Sequence, residues 1–220
     1  MKTVQDSLYL HVHRGNDKKW IPGAEFFFGR SLNRWVGSFD TVPERVKDSG
    51  SAQEFDAYEV LTHAHSVLTG HAQKDPRLEP FYHFEGVKCL GEANRCLLHY
   101  LQLVREFVFE EVRASSFPML PSRYRCIWLI AQMPEAVRYW WKQMDARPKK
   151  LFEVQVTGKI HEASQRYLRV GTYSLNYWKG LAFKYWAGAR EAESYEDEVL
   201  FEGFVKITRE ISPQEYGLEV

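Results

Sequence analysis

Two carboxylates two residues apart, Glu196 and Glu198, lead into Val199-Leu200-Phe201-Glu202-Gly203-Phe204-Val205-Lys206-Ile207. Branched and aromatic residues dominate that run and predict a strand over 198–207, with both acids projecting from one face where the chain enters it. A carboxylate fixed there can bond a substrate hydroxyl and steady a cationic transition state. Acidic residues also solubilise strand ends, so the pair gains meaning only from what the chain sets beside it.

Other residue types invite other chemistry. Arg123 and Arg125 flank Tyr124, a grouping that can grip phosphate and stack on a base, or form salt bridges at a strand edge. His63, His65 and His71 form one set of metal-ligand types, and Cys89, Cys96 and His99 another. The first set lacks a thiolate or an obvious carboxylate, and the second is spread over nearly three helical turns, so no metal is expected. Gly-x-Gly-x-x-Gly, the phosphate-binding Gly-Lys-Ser/Thr loop and Gly-x-Ser-x-Gly do not occur, which removes the commonest nucleotide and hydrolase signatures.

The elements that must position these residues follow from periodicity. Leu8, Leu10 and Val12 alternate with Tyr9, His11 and His13, a half-buried strand ending at Arg14-Gly15. A short aromatic strand follows at 26–28. The Ser, Asp, Pro, Lys and Gly of 37–50 predict a surface loop. Ser51 and Glu54 have capping-box spacing before a helix with Phe55, Tyr58, Leu61, His65 and Leu68 on one face. A longer helix is expected over 91–113, packed through Leu97, Leu101, Val104, Val108 and Val112, with Arg105, Glu106, Glu110 and Glu111 largely off that stripe. Pro118 and Pro121 end it. A strand over 122–131 should be central in a sheet, since its second half is continuously apolar. A short helix from Pro134, a strand over 151–159 and a helix capped by Thr172 or Ser174 complete the pattern. The order favours an α+β fold in one domain, with 51–115 a largely helical insertion.

Composition narrows the class. The 220 residues carry 29 basic and 29 acidic side chains, so any nucleic-acid contact must be local. Three cysteines without a framework, no charged-then-apolar leader and no apolar run near the roughly 20 residues needed to cross a bilayer predict a soluble cytoplasmic protein.

Three separated stretches together resemble a family. Tyr9-Leu10-His11-Val12-His13-Arg14-Gly15, Ser122-Arg123 before an apolar run, and Glu196-Asp197-Glu198-Val199-Leu200-Phe201 are similar, in order, to the three spaced motifs of ADP-ribosyltransferases. More narrowly, Arg105-Glu106-x-x-Phe109-Glu110-Glu111-Val112-Arg113 followed by Leu120-Pro121-Ser122-Arg123 resembles an uncharacterised bacterial set of ADP-ribosyltransferase-like proteins, a likeness over roughly residues 100–205 and the first strand. The resemblance implies a split β-sheet core that binds NAD+ as co-substrate. Glu198 would stabilise the oxocarbenium-like ribose, and Glu196 would orient or deprotonate the acceptor. Arg14 or His11 would grip NAD+ with His13 beside them, and Ser122, Tyr124 and Trp128 would wall the nicotinamide. The Ser-Thr-Ser triplet of the arginine-type toxins is absent, with Ser122 its nearest counterpart, which leaves the target residue open.

The activity implied is mono-ADP-ribosyl transfer to RNA, DNA or protein, as a toxin or phage-defence effector, with an antitoxin protein a candidate partner. The missing triplet and Arg123 and Arg125 tilt the acceptor toward nucleic acid. The alternatives are a non-catalytic binding module on the same fold, and an NAD glycohydrolase or RNA phosphate transferase.

Overall fold

The computed structural model describes residues 2–41, 45–47, 54–56, 58, 62, 65–67, 69–76, 86–144, 148–171, 173–190 and 194–218. Among them the strands are β1 (Lys2–Arg14), β2 (Glu25–Phe28), β3 (Arg45–Lys47), β4 (Glu54–Asp56), β5 (Ile127–Leu129), β6 (Lys149–Ser164) and β7 (Asp197–Ile211). The helices are α1 (Arg34–Thr41), α2 (Gly86–Ser116), α3 (Pro134–Gln143) and α4 (Leu175–Trp186). Helices and antiparallel strands mix along the chain, so the protein is α+β. It divides into two compact units, Met1–Arg34 with Arg105–Val220, and Trp35–Val104.

In the first unit the strands pair antiparallel in the order β1-β6-β7-β2. The edge of β7 away from β6 serves two partners in turn, β5 along 199–201 and β2 along 203–206. Leu10 and Ile130 exchange backbone hydrogen bonds of 2.9 and 2.7 Å, so β1, β6, β7 and β5 complete a circuit of pairings. Gly158 and Gly203 meet where β6 crosses β7. A Cβ on either would lie 2.8 Å from the other's Cα, and Gly203 has φ 144°, so only glycine allows this close approach.

Strand alternation sorts the core into layers. Phe152, Val154 and Val156 of β6, with Val199, Phe201, Val205 and Ile207 of β7, share one face with Trp20. On the other face α3 lays Ala136, Val137, Trp140 and Trp141 over Leu10, Val12 and Leu151. Phe109 and Val112 of α2, with Ala182, Tyr185 and Trp186 of α4, cover Leu200 and Ala163. The Trp186 indole donates to the Phe109 carbonyl at 2.7 Å, so this large buried ring leaves no polar atom unsatisfied.

Several elements depart from the sequence pattern. Of the expected 122–131 strand, Ile127–Leu129 forms β5 and Ile130 bridges to Leu10, while the start is lost because the Arg125 and Cys126 amides fold back to the Ser122 carbonyl at 3.1 and 2.9 Å. In the second unit, α1 and β3 occupy part of the expected loop over 37–50. Trp35 and Phe39, four apart on α1, meet edge to face at 5.1 Å. Glu54–Asp56 pairs with β3, and that ladder takes backbone hydrogen bonds a helix start would have used. Residues 58, 62 and 65–67 are helical, while capping residues 51–53 lie outside the described residues. The ends of the expected helices over 51–68 and 91–113 move accordingly, the second beginning at Gly86. The stripe through α2 is also different. Leu97 and Val104 are exposed, whereas Arg105 and Glu106 are buried.

Candidate functional site

The deepest polar cluster gathers around Arg123, which is 3% exposed. Its Nε donates to Glu106 Oε2 at 2.8 Å, and its Nη1 donates to the Tyr185 hydroxyl at 2.8 Å and to Glu198 Oε2. The Tyr185 hydroxyl in turn donates to Glu198 Oε2 at 2.8 Å. Arg105 bonds Glu106 Oε1 through Nε at 2.9 Å and the Leu168 carbonyl through Nη1 at 2.6 Å. Two guanidiniums thus face two carboxylates, and the cluster is neutral as a whole.

Each charge depends on the others because water barely reaches them. Burial opposes the charge on Arg123, yet the Glu106 and Glu198 carboxylates outweigh it and hold its pKa well above the usual guanidinium value. Burial lowers that of Arg105, with Glu106 opposing. Burial also drives the Tyr185 phenol well up, so it stays a donor to Glu198. Both bonds to Glu198 converge on Oε2, and no described residue bonds Oε1. That leaves one oxygen of an oriented carboxylate able to accept a hydroxyl.

Glu196 is placed differently from the expected shared strand face. It ends a 3₁₀ turn over Ser194–Glu196, before β7 begins, and accepts from Arg166 Nε at 2.9 Å. The two acids therefore have separate partners and separate exposure.

The first-strand residues also split. His11 and His13 stack on Trp20 at 4.7 and 4.3 Å, on the side of Phe152. Glu198 shares the opposite side of the sheet with Leu200. His11 Nδ1 lies 2.9 Å from the Trp128 carbonyl. Its pKa falls to about 4, through burial against the opposing effect of that bond. Burial lowers His13 also, and its Nε2 has no hydrogen-bond partner among the described residues. Arg14 is exposed at the end of β1, and alternation sets it on the side of Leu10 and Val12, away from His11 and His13.

Ser122 is tied into the scaffold. Its amide donates to Glu202 Oε1 at 2.9 Å, and its hydroxyl donates to Glu110 Oε1 at 2.9 Å while accepting from the Tyr124 amide at 3.1 Å. The Tyr124 carbonyl accepts from the Asn33 amide at 2.7 Å. The Trp128 ring centroid lies 5.8 Å from Arg123 Cζ, which puts this aromatic on the Glu198 side. Arg123 is buried and Arg125 exposed, so the two do not form the surface pair their spacing suggested.

Sequence reasoning missed Tyr185, Glu106, Arg105 and Trp20. Arg105 and Glu106 stand beside Val108 and Phe109 at helical spacing, a signal that charged residues share the buried face of α2. Tyr185 joins the buried stripe of Trp178, Ala182 and Trp186 on α4.

Fold and site together define an α+β protein whose sheet is braced by a buried, charge-balanced arginine–glutamate–tyrosine cluster. The sequence matches the family described as "Protein of unknown function (DUF2441)" over residues 9–213, and the chain belongs to that family. A search of curated proteins finds no match.

Proposed function

We propose that the protein is a mono-ADP-ribosyltransferase, built on an ADP-ribosyltransferase-like core, that cleaves NAD+ and transfers ADP-ribose to a macromolecule. The observation that carries this reading is strand adjacency. β5 pairs with β7 on one side and is bridged to β1 on the other, so three stretches far apart in sequence become neighbours.

The chemistry then follows from the clamp on Glu198. As the bond from ribose C1′ to nicotinamide nitrogen breaks, its electron pair leaves with nicotinamide and the sugar becomes cationic. Glu198 Oε1, held through Oε2 by Arg123 and Tyr185, accepts the ribose 2′-hydroxyl and stabilises that charge more than the ground state. The acceptor's lone pair closes the new bond to C1′, and Glu196, outside the buried cluster, receives its proton. Trp128 is the aromatic on this side for nicotinamide. Arg14 is favoured over His11 for the diphosphate, because His11 and His13 face the other way.

A second reading, a non-catalytic binding module, is favoured by one fact: Glu198 is only 7% exposed. Incubation with labelled NAD+ and separate pools of protein, RNA and DNA separates the two. The transferase reading expects label in one pool and a loss of roughly 100-fold or more in Glu198→Gln, as for removal of one oriented transition-state group. Wild-type protein inert toward all three pools supports the module.

A further inference from the structure

Charge is balanced over the chain but not along it. Residues 165–190 carry five cations, Arg166, Arg169, Lys179, Lys184 and Arg190, and no aspartate or glutamate. The same 26 residues hold seven aromatics. α4 divides these by face. Trp178, Tyr185 and Trp186 turn inward, Tyr185 to Glu198, while Leu175, Tyr177 and Phe183 are 61, 54 and 54% exposed. Tyr173 stands just before the helix with its ring 4.8 Å from Tyr177, and Phe183 rests edge-on against Phe117 at 5.2 Å. Lys179 and Lys184 are exposed on the same helix as these rings, and Arg169 is exposed on the approach to it.

Part of the positive charge is already committed. Arg166 pairs with Glu196, Arg190 with Glu162 and Asp197, and Lys179 with the exposed Glu111 at 3.0 Å. Arg169 and Lys184 make no ion pair with a described residue. A helix face whose own residues supply exposed rings and cations and no acid, with Glu111 of α2 set against Lys179, fits a flexible polyanion whose own units stack. We propose that the outward face of α4, with Tyr173 and Arg169, binds single-stranded nucleic acid, bases on Tyr173, Tyr177 and Phe183 and phosphates on Arg169, Lys179 and Lys184. As the docking face for an acceptor this rests on the transferase reading, since α4 is the helix whose inner side clamps Glu198. As a binding surface it stands without that reading.

The test is fluorescence anisotropy with labelled oligo-uridine and oligo-thymidine, beside cosedimentation with phosphatidylserine–phosphatidylcholine vesicles. Three engaged cations, Lys179 exchanging its exposed Glu111 partner for phosphate, predict a slope of log affinity against log salt of about −2, and Lys184→Ala should reduce it by about 0.7. Tyr177→Ala should weaken binding roughly 5-fold or more while leaving the salt slope unchanged. Both positions are exposed, so the variants keep the wild-type melting curve. No measurable oligonucleotide binding at low salt overturns the proposal, as does binding indifferent to both substitutions. Vesicle binding without oligonucleotide binding overturns it in favour of a lipid surface. If oligonucleotides bind as described while NAD+ is never cleaved, the surface stands and the transferase reading fails.

Discussion

Replacing Arg123 with methionine keeps much of the side-chain volume and removes the cation at the centre of the buried cluster. The Glu106 and Glu198 side chains, 1% and 8% exposed, would then share a dry site with Arg105 as the remaining buried guanidinium. Breaking a buried pair by removing one partner costs about 3–5 kcal/mol, because it strands charge away from water. Glu198→Gln alone leaves Arg123 paired with Glu106 and should cost less. In the double variant the stranded charge at 198 is gone, so the losses should fall short of additive by about 1–3 kcal/mol. Urea unfolding followed by tryptophan fluorescence and by circular dichroism measures this cycle, and coincident transitions license the free energies. An Arg123→Met loss under about 1 kcal/mol, or a coupling below about 0.5 kcal/mol, would refute the reasoning.

The remaining expectations are smaller in scope. His11 is held neutral by burial, with a folded pKa of about 4 against an ordinary 6.5, so stability is full above pH 6.5 and falls as pH drops toward 4. The loss should reach about 3 kcal/mol, at about 1.4 kcal/mol per pH unit. Urea midpoints across that range should show it, with a shallower slope in His11→Gln. Gly203→Ala meets both a positive φ and the Gly158 backbone, and thermal melts should show a loss of at least about 1–3 kcal/mol. Tyr185→Phe removes a hydroxyl that accepts from Arg123 and donates to Glu198, which should cost roughly 1.5–3 kcal/mol in the same assay.

Strands were legible where alternation was strong. Leu8, Leu10 and Val12 announced β1, and the branched and aromatic run after Glu198 announced β7. Ser174, one of the two expected caps, starts α4, its Oγ accepting from the Tyr177 amide at 3.3 Å, while Thr172 lies outside the described residues. Residues 122–126 misled because an apolar run says nothing of a turn closed by backbone hydrogen bonds to Ser122. The second unit misled because turn-rich composition hid an i, i+4 aromatic pair on α1.

Of the site, Glu198 and Arg123 were visible as residues but not as partners, since 75 positions separate them. Glu106 and Tyr185 were invisible for the same reason. Charges on a helix read as surface until a distant opposite charge is known to bury with them. Local periodicity also could not reveal that His11 and Glu198 lie on opposite sides of the sheet, because that follows from pairing across β5 and β7.

The central claim is that Glu198 is a clamped carboxylate serving the ribose of NAD+. Release of nicotinamide from NAD+, measured for wild-type protein and for Glu198→Gln shown by circular dichroism to be folded, tests it most directly. The account predicts release by the wild type and roughly a 100-fold or greater drop in the variant. Equal release from both proteins would contradict it.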